Sequence, residues 1–316
     1  MKMLKYLRKI WIETLLASGA RNWFIDKFIS EKTRREFASR KILDTNLCSD
    51  MIELEDNRHF RELYYYMMGN RDFVGNKLYT IDRENELAIV SIKGKHYRGK
   101  MILAFNPNNV QVAFTDKQGK SGNNILKFMK NNNAVAAVNA SGFKILNKND
   151  CLGNILGLAK NSSGFWGEFA TNMDSIVIDE RNQLRVGNIS LWLQNNVRDG
   201  VQFFPSLIIN GESQIKGTGG WGVQPRTAIG QRKDGTILLM VIEGRNIFHS
   251  MGATLEDVIN EFKKYNVINA AALDGGGSAI MGYKGNVITK NCSGSKLGRL
   301  IPTAIIIKKP RGIHNK

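Results

Sequence analysis

Three cysteines (Cys48, Cys151, Cys292) and four histidines in 316 residues are too few and too scattered for a disulfide framework or a zinc site. One bridge at most can form, which fits a reducing compartment or an exported protein built without disulfides. Several common signatures are also missing. There is no GxGxxG after a strand, no GxxxxGK followed by Ser or Thr, no HExxH and no GxSxG. Dinucleotide, P-loop, zincin and α/β-hydrolase chemistry are thereby excluded, and no metal or cofactor is expected. No period of 20–50 residues and no low-complexity linker occurs. With 42% apolar and 23% charged residues, the chain is neither disordered, collagen-like nor a coiled-coil rod.

Charge is abundant but confined. The net +17 divides into a surplus of six over residues 1–40, six over residues 296–316, and five over the 255 residues between. The body is therefore no evident nucleic-acid binder, and none is expected as a partner. The N-terminus places Lys2, Lys5, Arg8 and Lys9 before an apolar stretch at 10–20 that ends in Ser18-Gly19-Ala20, the small-x-small form of a cleavage site. Glu13 interrupts that stretch, and about 18 clean apolar residues are needed to span a bilayer. Two other readings stand beside an export signal. One is an amphipathic helix with Leu4, Leu7, Trp11 and Leu15 on one face, lying on an anionic membrane surface. The other is an ordinary packed first helix.

The texture divides the chain into a helical, basic segment at 1–75, a β-rich body at 80–310 and a basic tail at 310–316. Residues 24–70 read as helical and polar. The runs at 87–92, 101–105 and 110–114 read as strands. Hairpins are expected at 175–186, around Asp179-Glu180-Arg181-Asn182, and at 227–242, around Lys233-Asp234-Gly235. A helix at 124–130 carries Ile125, Phe128 and Met129 on one face. A second, at 254–265, opens with Thr254 and Asp257 at capping-box spacing, and Asn266 is a left-handed stop. Strands with a few inserted helices indicate an α+β domain: a twisted, largely antiparallel mixed sheet packed around helices, preceded by a helical N-terminal segment.

Three clusters carry candidate chemistry. In Ala272-Leu273-Asp274-Gly275-Gly276-Gly277-Ser278 an apolar strand runs into a carboxylate and three glycines. Successive glycines cost backbone entropy and pack nothing, whereas they allow close approach and free N–H groups to an anion or a sugar hydroxyl. Asp274 is then placed as base, nucleophile or hydroxyl acceptor; the bland alternative is a tight turn capped by Asp274. In the second cluster, Gly219-Gly220-Trp221-Gly222 precedes Pro225-Arg226-Thr227-Ala228-Ile229-Gly230, and the strand that follows ends in Glu243-Gly244-Arg245. Guanidinium groups suit phosphate or carboxylate. Trp221 is a sugar-stacking face or a buried aromatic. The third cluster is Asn139-Ala140-Ser141-Gly142-Phe143, where Asn139 offers a donor and an acceptor. Of the four histidines only His249 lies near a motif.

These clusters, in this order, resemble the phosphodiester glycosidase family, the bacterial relatives of the enzyme that uncovers mannose 6-phosphate by removing N-acetylglucosamine. Residues 80–308 carry the resemblance, together with the helix start at 252–255 and the runs at 206–211 and 299–307. Glu243 stands where the family has Asp, Ala272 where it has Asn, and Ala140-Ser141 where it has two glycines. The resemblance implies hydrolysis of a sugar-1-phosphodiester on the C–O side, yielding free sugar and a phosphomonoester. It implies Asp274 and Glu243 as the carboxylates and Arg226 and Arg245 as the phosphate grip. Asn139, Ser141, Gly142, Thr227, Trp221, Gly275, Gly276, Gly277 and Ser278 become substrate contacts. The substrates implied are cell-surface or polymer sugar phosphates, and the location is the cell surface or membrane, with the cytoplasm as alternative. Two rivals remain: P–O cleavage by a phosphodiesterase, and a non-catalytic module for glycan or anionic polymer.

Overall fold

The computed structural model describes residues 9–14, 47–144, 151, 153–188, 191–192 and 196–310. Its helices are α1 (Arg58–Tyr65), α2 (Ile125–Asn131) and α3 (Leu255–Lys263), besides a helical stretch at residues 9–14. The first strands are β1 (Lys77–Asp82), β2 (Leu87–Lys93), β3 (Arg98–Ala104), β4 (Val110–Phe114) and β5 (Ala134–Asn139). A middle group follows: β6 (Leu158–Asn161), β7 (Gly164–Gly167), β8 (Asp174–Asp179), β9 (Leu184–Gly187) and β10 (Val197–Phe203). Next come β11 (Ser206–Ile209), β12 (Glu212–Ser213), β13 (Arg226–Arg232), β14 (Ile237–Ile242) and β15 (Val267–Leu273). The last are β16 (Met281–Tyr283), β17 (Asn286–Val287) and β18 (Thr303–Lys308).

The strands form an eight-stranded sheet in the order β1-β2-β3-β14-β13-β15-β11-β12 and two five-stranded sheets, β7-β6-β10-β8-β9 and β17-β16-β5-β18-β4. Among the described residues every strand pair is antiparallel. The α+β architecture is thus as expected, but the single mixed sheet resolves into three antiparallel ones.

The large sheet is covered on both faces. In β14, Ile237, Leu239 and Val241 join Val112, Val138, Ile176 and Ile305 from the two smaller sheets. Leu238, Met240 and Ile242 point the other way, under Phe60 and Tyr64 of α1 and Val258, Ile259 and Phe262 of α3. Period-two alternation puts both sets in a core, which is why the run Ile-Leu-Leu-Met-Val-Ile lacks any polar position. Each such fully buried side chain contributes about 1.5–3 kcal/mol.

Local signals held where their chemistry is local. The Thr254 hydroxyl accepts from the Asp257 N–H at 3.0 Å, Asp257 reaches back to the Thr254 N–H at 2.8 Å, and Asn266 takes a φ of 55°. Asn124 caps α2 through the Lys127 N–H at 2.9 Å. Both expected hairpins form, as β8–β9 and β13–β14.

The expected helical span at 24–70 is corrected. Of its described part only α1 is helical, and residues 47–57 run without helix over the sheets, where Cys48 bridges to Gly187 and the Arg185 guanidinium donates to the Ser49 carbonyl. Phe60 and Tyr64 complete the core on the outer face, so residues 58–65 pack as part of the body. The Ser18-Gly19-Ala20 segment and Leu4, Leu7 and Leu15 lie outside the described residues. Among the described residues no helix is long and apolar enough to cross a membrane.

Candidate active site

Antiparallel pairing collects the motifs at one end of the large sheet. Arg226 opens β13, opposite Ile242 at the end of β14, while Thr227 pairs with Leu273 at the end of β15. The residue that opens the central strand and those that follow its two neighbours, Arg226, Glu243 and Asp274, therefore share one sheet edge. A cavity of about 360 Å³ opens beside it. Arg226, Arg245, Arg299, Asp274, the three glycines and Ser278 line one part of it, and Phe143, Phe203, Phe204 and Trp221 line the other.

Asp274 stands partly exposed on the cavity wall, at the end of β15. Burial pushes its carboxyl up to about 6, against the opposing pull of the Ser278 hydroxyl, the Arg299 charge and the Gly275 N–H. Its backbone is braced from β5: the Asp274 N–H donates to the Ala140 carbonyl at 2.9 Å, and the Asn139 side-chain amide donates to the Asp274 carbonyl. The glycines serve the geometry. Gly276 has a φ of 57°, its N–H donates to the Pro225 carbonyl at 2.9 Å, and a Cβ on Gly277 would meet the Arg299 guanidinium at 2.5 Å.

The three guanidinium groups are held differently. Arg226 is buried, and burial lowers it to about 9, still cationic at neutral pH; it donates to the carbonyls of Ala253 (3.0 Å), Trp221 (3.1 Å) and Gly222 (2.7 Å). It fixes the 221–222 loop as well as lining the cavity. Arg245 stands at a φ of 60° and donates through Nε and Nη2 to the Gln224 Oε1, at 3.2 and 3.0 Å. Arg299 leans on Gly277, and its buried Nε has no hydrogen-bond partner. The aromatic wall is continuous: Phe203 stacks on Phe204 at 5.0 Å, and Phe204 meets Trp221 at 5.0 Å.

Five expected site residues occupy other roles. Asn139, 1% exposed, accepts from the Thr227 hydroxyl at 2.8 Å and from the Ile280 N–H at 3.1 Å, so both polar side chains are spent on bracing rather than presented to a ligand. The Ser141 N–H donates to Thr303 Oγ1 at 2.8 Å, and Gly142 makes room for the Phe203 ring, which a Cβ would meet at 2.8 Å; neither lines the cavity. Glu243 is the largest departure. It lines a neighbouring cavity, where Oε2 meets His249 Nε2 and Oε1 accepts from the Lys290 N–H at 2.8 Å. The two carboxylates therefore do not flank one bond in this arrangement. Arg299, Gln224, Phe203 and Phe204 are residues that the motifs had not marked, although the run beginning at 299 was noted; Phe143 closed a marked cluster without being given a role. Among the described residues no group of three or more His, Cys, Asp or Glu side chains is placed to hold a metal.

The family model for phosphodiester glycosidases matches residues 132–308, more than half of the chain, and that span contains every residue lining the Asp274 cavity. The chain is 26% identical over 199 residues to the SPbeta prophage-derived uncharacterized protein YomE of Bacillus subtilis strain 168; the match covers 59% of this chain but only 30% of that protein. Its fold resembles the catalytic domain of zebrafish N-acetylglucosamine-1-phosphodiester alpha-N-acetylglucosaminidase, auto-inhibited by pro-peptide. That match has a TM-score of 0.59 and 20% identity, and covers 70% of this chain and 82% of that one. A hypothetical protein from Synechocystis shares the fold at a TM-score of 0.53 and 13% identity, over 72% of this chain and 63% of that one. The chain belongs to the phosphodiester glycosidase family.

Proposed function

We propose that the protein hydrolyses sugar-1-phosphodiesters by cleaving the C–O bond at the anomeric carbon, releasing free sugar and a phosphomonoester. The observation that carries this reading is one cavity holding three guanidinium groups and a carboxyl raised to about 6 opposite an aromatic wall. Aromatic faces suit the apolar side of a sugar ring, and fixed cations suit the phosphate that departs from it. A phosphate monoester is already anionic near pH 7, with a second pKa of about 6, so its departure needs charge stabilisation more than a proton. Arg245 and Arg299 supply that charge; each such preorganised donor contributes on the order of 3 kcal/mol to the barrier. Asp274, ionised, either activates water or stabilises the oxocarbenium-like carbon, as glycosidase carboxylates do.

We further propose that the substrates are sugar phosphates of the cell surface or of an anionic polymer, with the basic N-terminus favouring an anionic membrane surface. The test is a panel of sugar-1-phosphodiesters in ¹⁸O-labelled water, run beside Asp274→Asn. Label in the released sugar, abolished by the substitution, supports C–O cleavage. Label in the phosphate overturns it in favour of P–O cleavage, and binding without turnover across the panel makes the protein a non-catalytic module.

A further inference from the structure

We propose that the cavity on the β1–β2–β3 side of Glu243 is a second binding site, for a multiply charged phosphate anion. At about 550 Å³ it is larger than the Asp274 cavity. Arg71, Lys77, Lys93, Arg98, Lys100 and Lys290 line it, against one carboxylate, Glu243. That carboxylate is already engaged by His249 and by the Lys290 N–H. Among the described residues none of the six cations forms an ion pair.

The strand register makes this crowding costly. Lys93 lies directly opposite Arg98, and Lys77 and Lys100 flank Ser91 from its two sides. Like charges facing each other across a strand pair destabilise a sheet. Lys100 is half-buried, its Nζ 4.7 Å from the centre of the Tyr79 ring, and burial lowers its ammonium below the usual lysine range. Lysines on an edge strand commonly guard against aggregation, and that accounts for Lys77 on β1. It does not account for Arg98 and Lys100, two strands inside the sheet, or for Lys290, which arrives from beyond β17.

An anion with several charges would offset the repulsion of the whole cluster at once. Arg71 and Arg98 offer planar forks and the lysines compact point charges, the pair of donors that phosphate oxygens take. The cavity volume admits more than one phosphate. The site is independent of Asp274 chemistry: the Glu243-Gly244-Arg245 segment sends the Glu243 side chain to this cavity and that of Arg245 to the other.

The experiment is calorimetric titration of the full chain with sodium tripolyphosphate and, separately, with a short synthetic glycerol phosphate oligomer. Variants are Arg98→Gln/Lys100→Gln in the cavity, Lys263→Gln/Lys309→Gln on the exposed surface outside it, and Arg245→Gln/Arg299→Gln in the Asp274 cavity. At least tenfold weaker binding in the first, with less than twofold change in the other two, is expected. The first variant should also melt no lower than the wild type when ligand-free, since repulsion is relieved, and should lose the rise in Tm that tripolyphosphate produces in the wild type. Tighter binding of the oligomer assigns a phosphodiester chain, and tighter binding of tripolyphosphate a free polyphosphate; both outcomes support the site. The proposal is overturned if neither probe binds, if the surface variant weakens binding equally, or if the Arg245/Arg299 variant alone abolishes it.

Discussion

Asp274 and Asn139 are joined by one hydrogen bond, from the Asn139 amide to the Asp274 carbonyl, and are expected to respond to substitution in opposite ways. The Asp274 carboxyl is raised from an ordinary 3.8 to about 6, so the folded state holds its proton more tightly than the unfolded chain does. Between about pH 4 and pH 6 stability therefore falls as pH rises, and above pH 6 the full cost of an ionised, desolvated carboxylate is present. Asp274→Asn should leave Tm unchanged at pH 4 and raise it by about 3 °C at pH 8, a shift that thermal denaturation across that range would read. The same substitution should lower kcat by about 10³ or more, and in the wild type kcat/KM should climb through an inflection near pH 6, because the ionised form is the working one. Asn139→Ala should instead destabilise by about 2–4 kcal/mol in denaturant titration, since it leaves the Thr227 hydroxyl and the Ile280 N–H without their buried acceptor. The position of Asp274 on a cavity wall was legible in the sequence because an apolar strand running into a carboxylate and three glycines marks a strand end where the backbone turns and opens. The role of Asn139 was not, because an amide at a strand end looks the same whether it faces a ligand or three neighbouring strands.

At the level of elements, the strand ends and their loops decide what is a site. Caps, hairpins and apolar runs were readable because each depends on residues a few positions apart: Thr254 with Asp257, Lys233-Asp234-Gly235 between β13 and β14. The cavity that Glu243 lines was not legible because the residue lies just past β14, where the alternation of the strand no longer fixes which side a residue faces. Arg299 lies 25 positions beyond Asp274, and no local pattern ties the two together. The glycine loop offers a sharp comparison between neighbours. A Cβ on Gly275 would meet the Pro225 carbonyl oxygen at 2.7 Å, and backbone there cannot yield, so Gly275→Ala should cost about 1–3 kcal/mol of stability. A Cβ on Gly277 would meet only the guanidinium end of Arg299, which can swing away. Gly277→Ala should thus fold with near-native stability and lose about 10²-fold in kcat through a displaced cation, a split that paired melting curves and steady-state kinetics would resolve. Equal loss of stability in both variants would sink the distinction.

The whole molecule is a large sheet sandwiched between two cores, one under the smaller sheets and one under the helices, and the sequence conveyed this only as β-rich texture. Which sheet a strand joins depends on crossovers such as β3 to β14 and β13 to β15, whose partners are tens to more than a hundred residues apart. The same long-range closure ties the N-terminus to the site. Residues 9–14 lie along the 217–224 loop: Glu13 bonds the Thr218 hydroxyl, and Thr14 Oγ1 accepts from the Val223 N–H at 2.9 Å. The Thr14 carbonyl accepts from Gln224 Nε2 at 2.7 Å, while the Oε1 of that amide holds Arg245. One glutamine therefore connects the first described residues of the chain to a guanidinium of the cavity. Gln224→Leu keeps the volume but removes both bonds, leaving Arg245 free to turn within the cavity, and should lower kcat by about 10–100-fold while costing about 1–3 kcal/mol of stability. Thr14→Val cuts the strap at its other end and spares the amide that holds Arg245. It should cost about 1 kcal/mol, raise KM through the loop bearing Trp221, and leave kcat within about twofold. Limited proteolysis should then cleave near residues 9–14 faster in both variants than in the wild type. If instead Thr14→Val lowers kcat as far as Gln224→Leu does, the N-terminal helix sets the position of Arg245 directly and the glutamine is only one of its contacts.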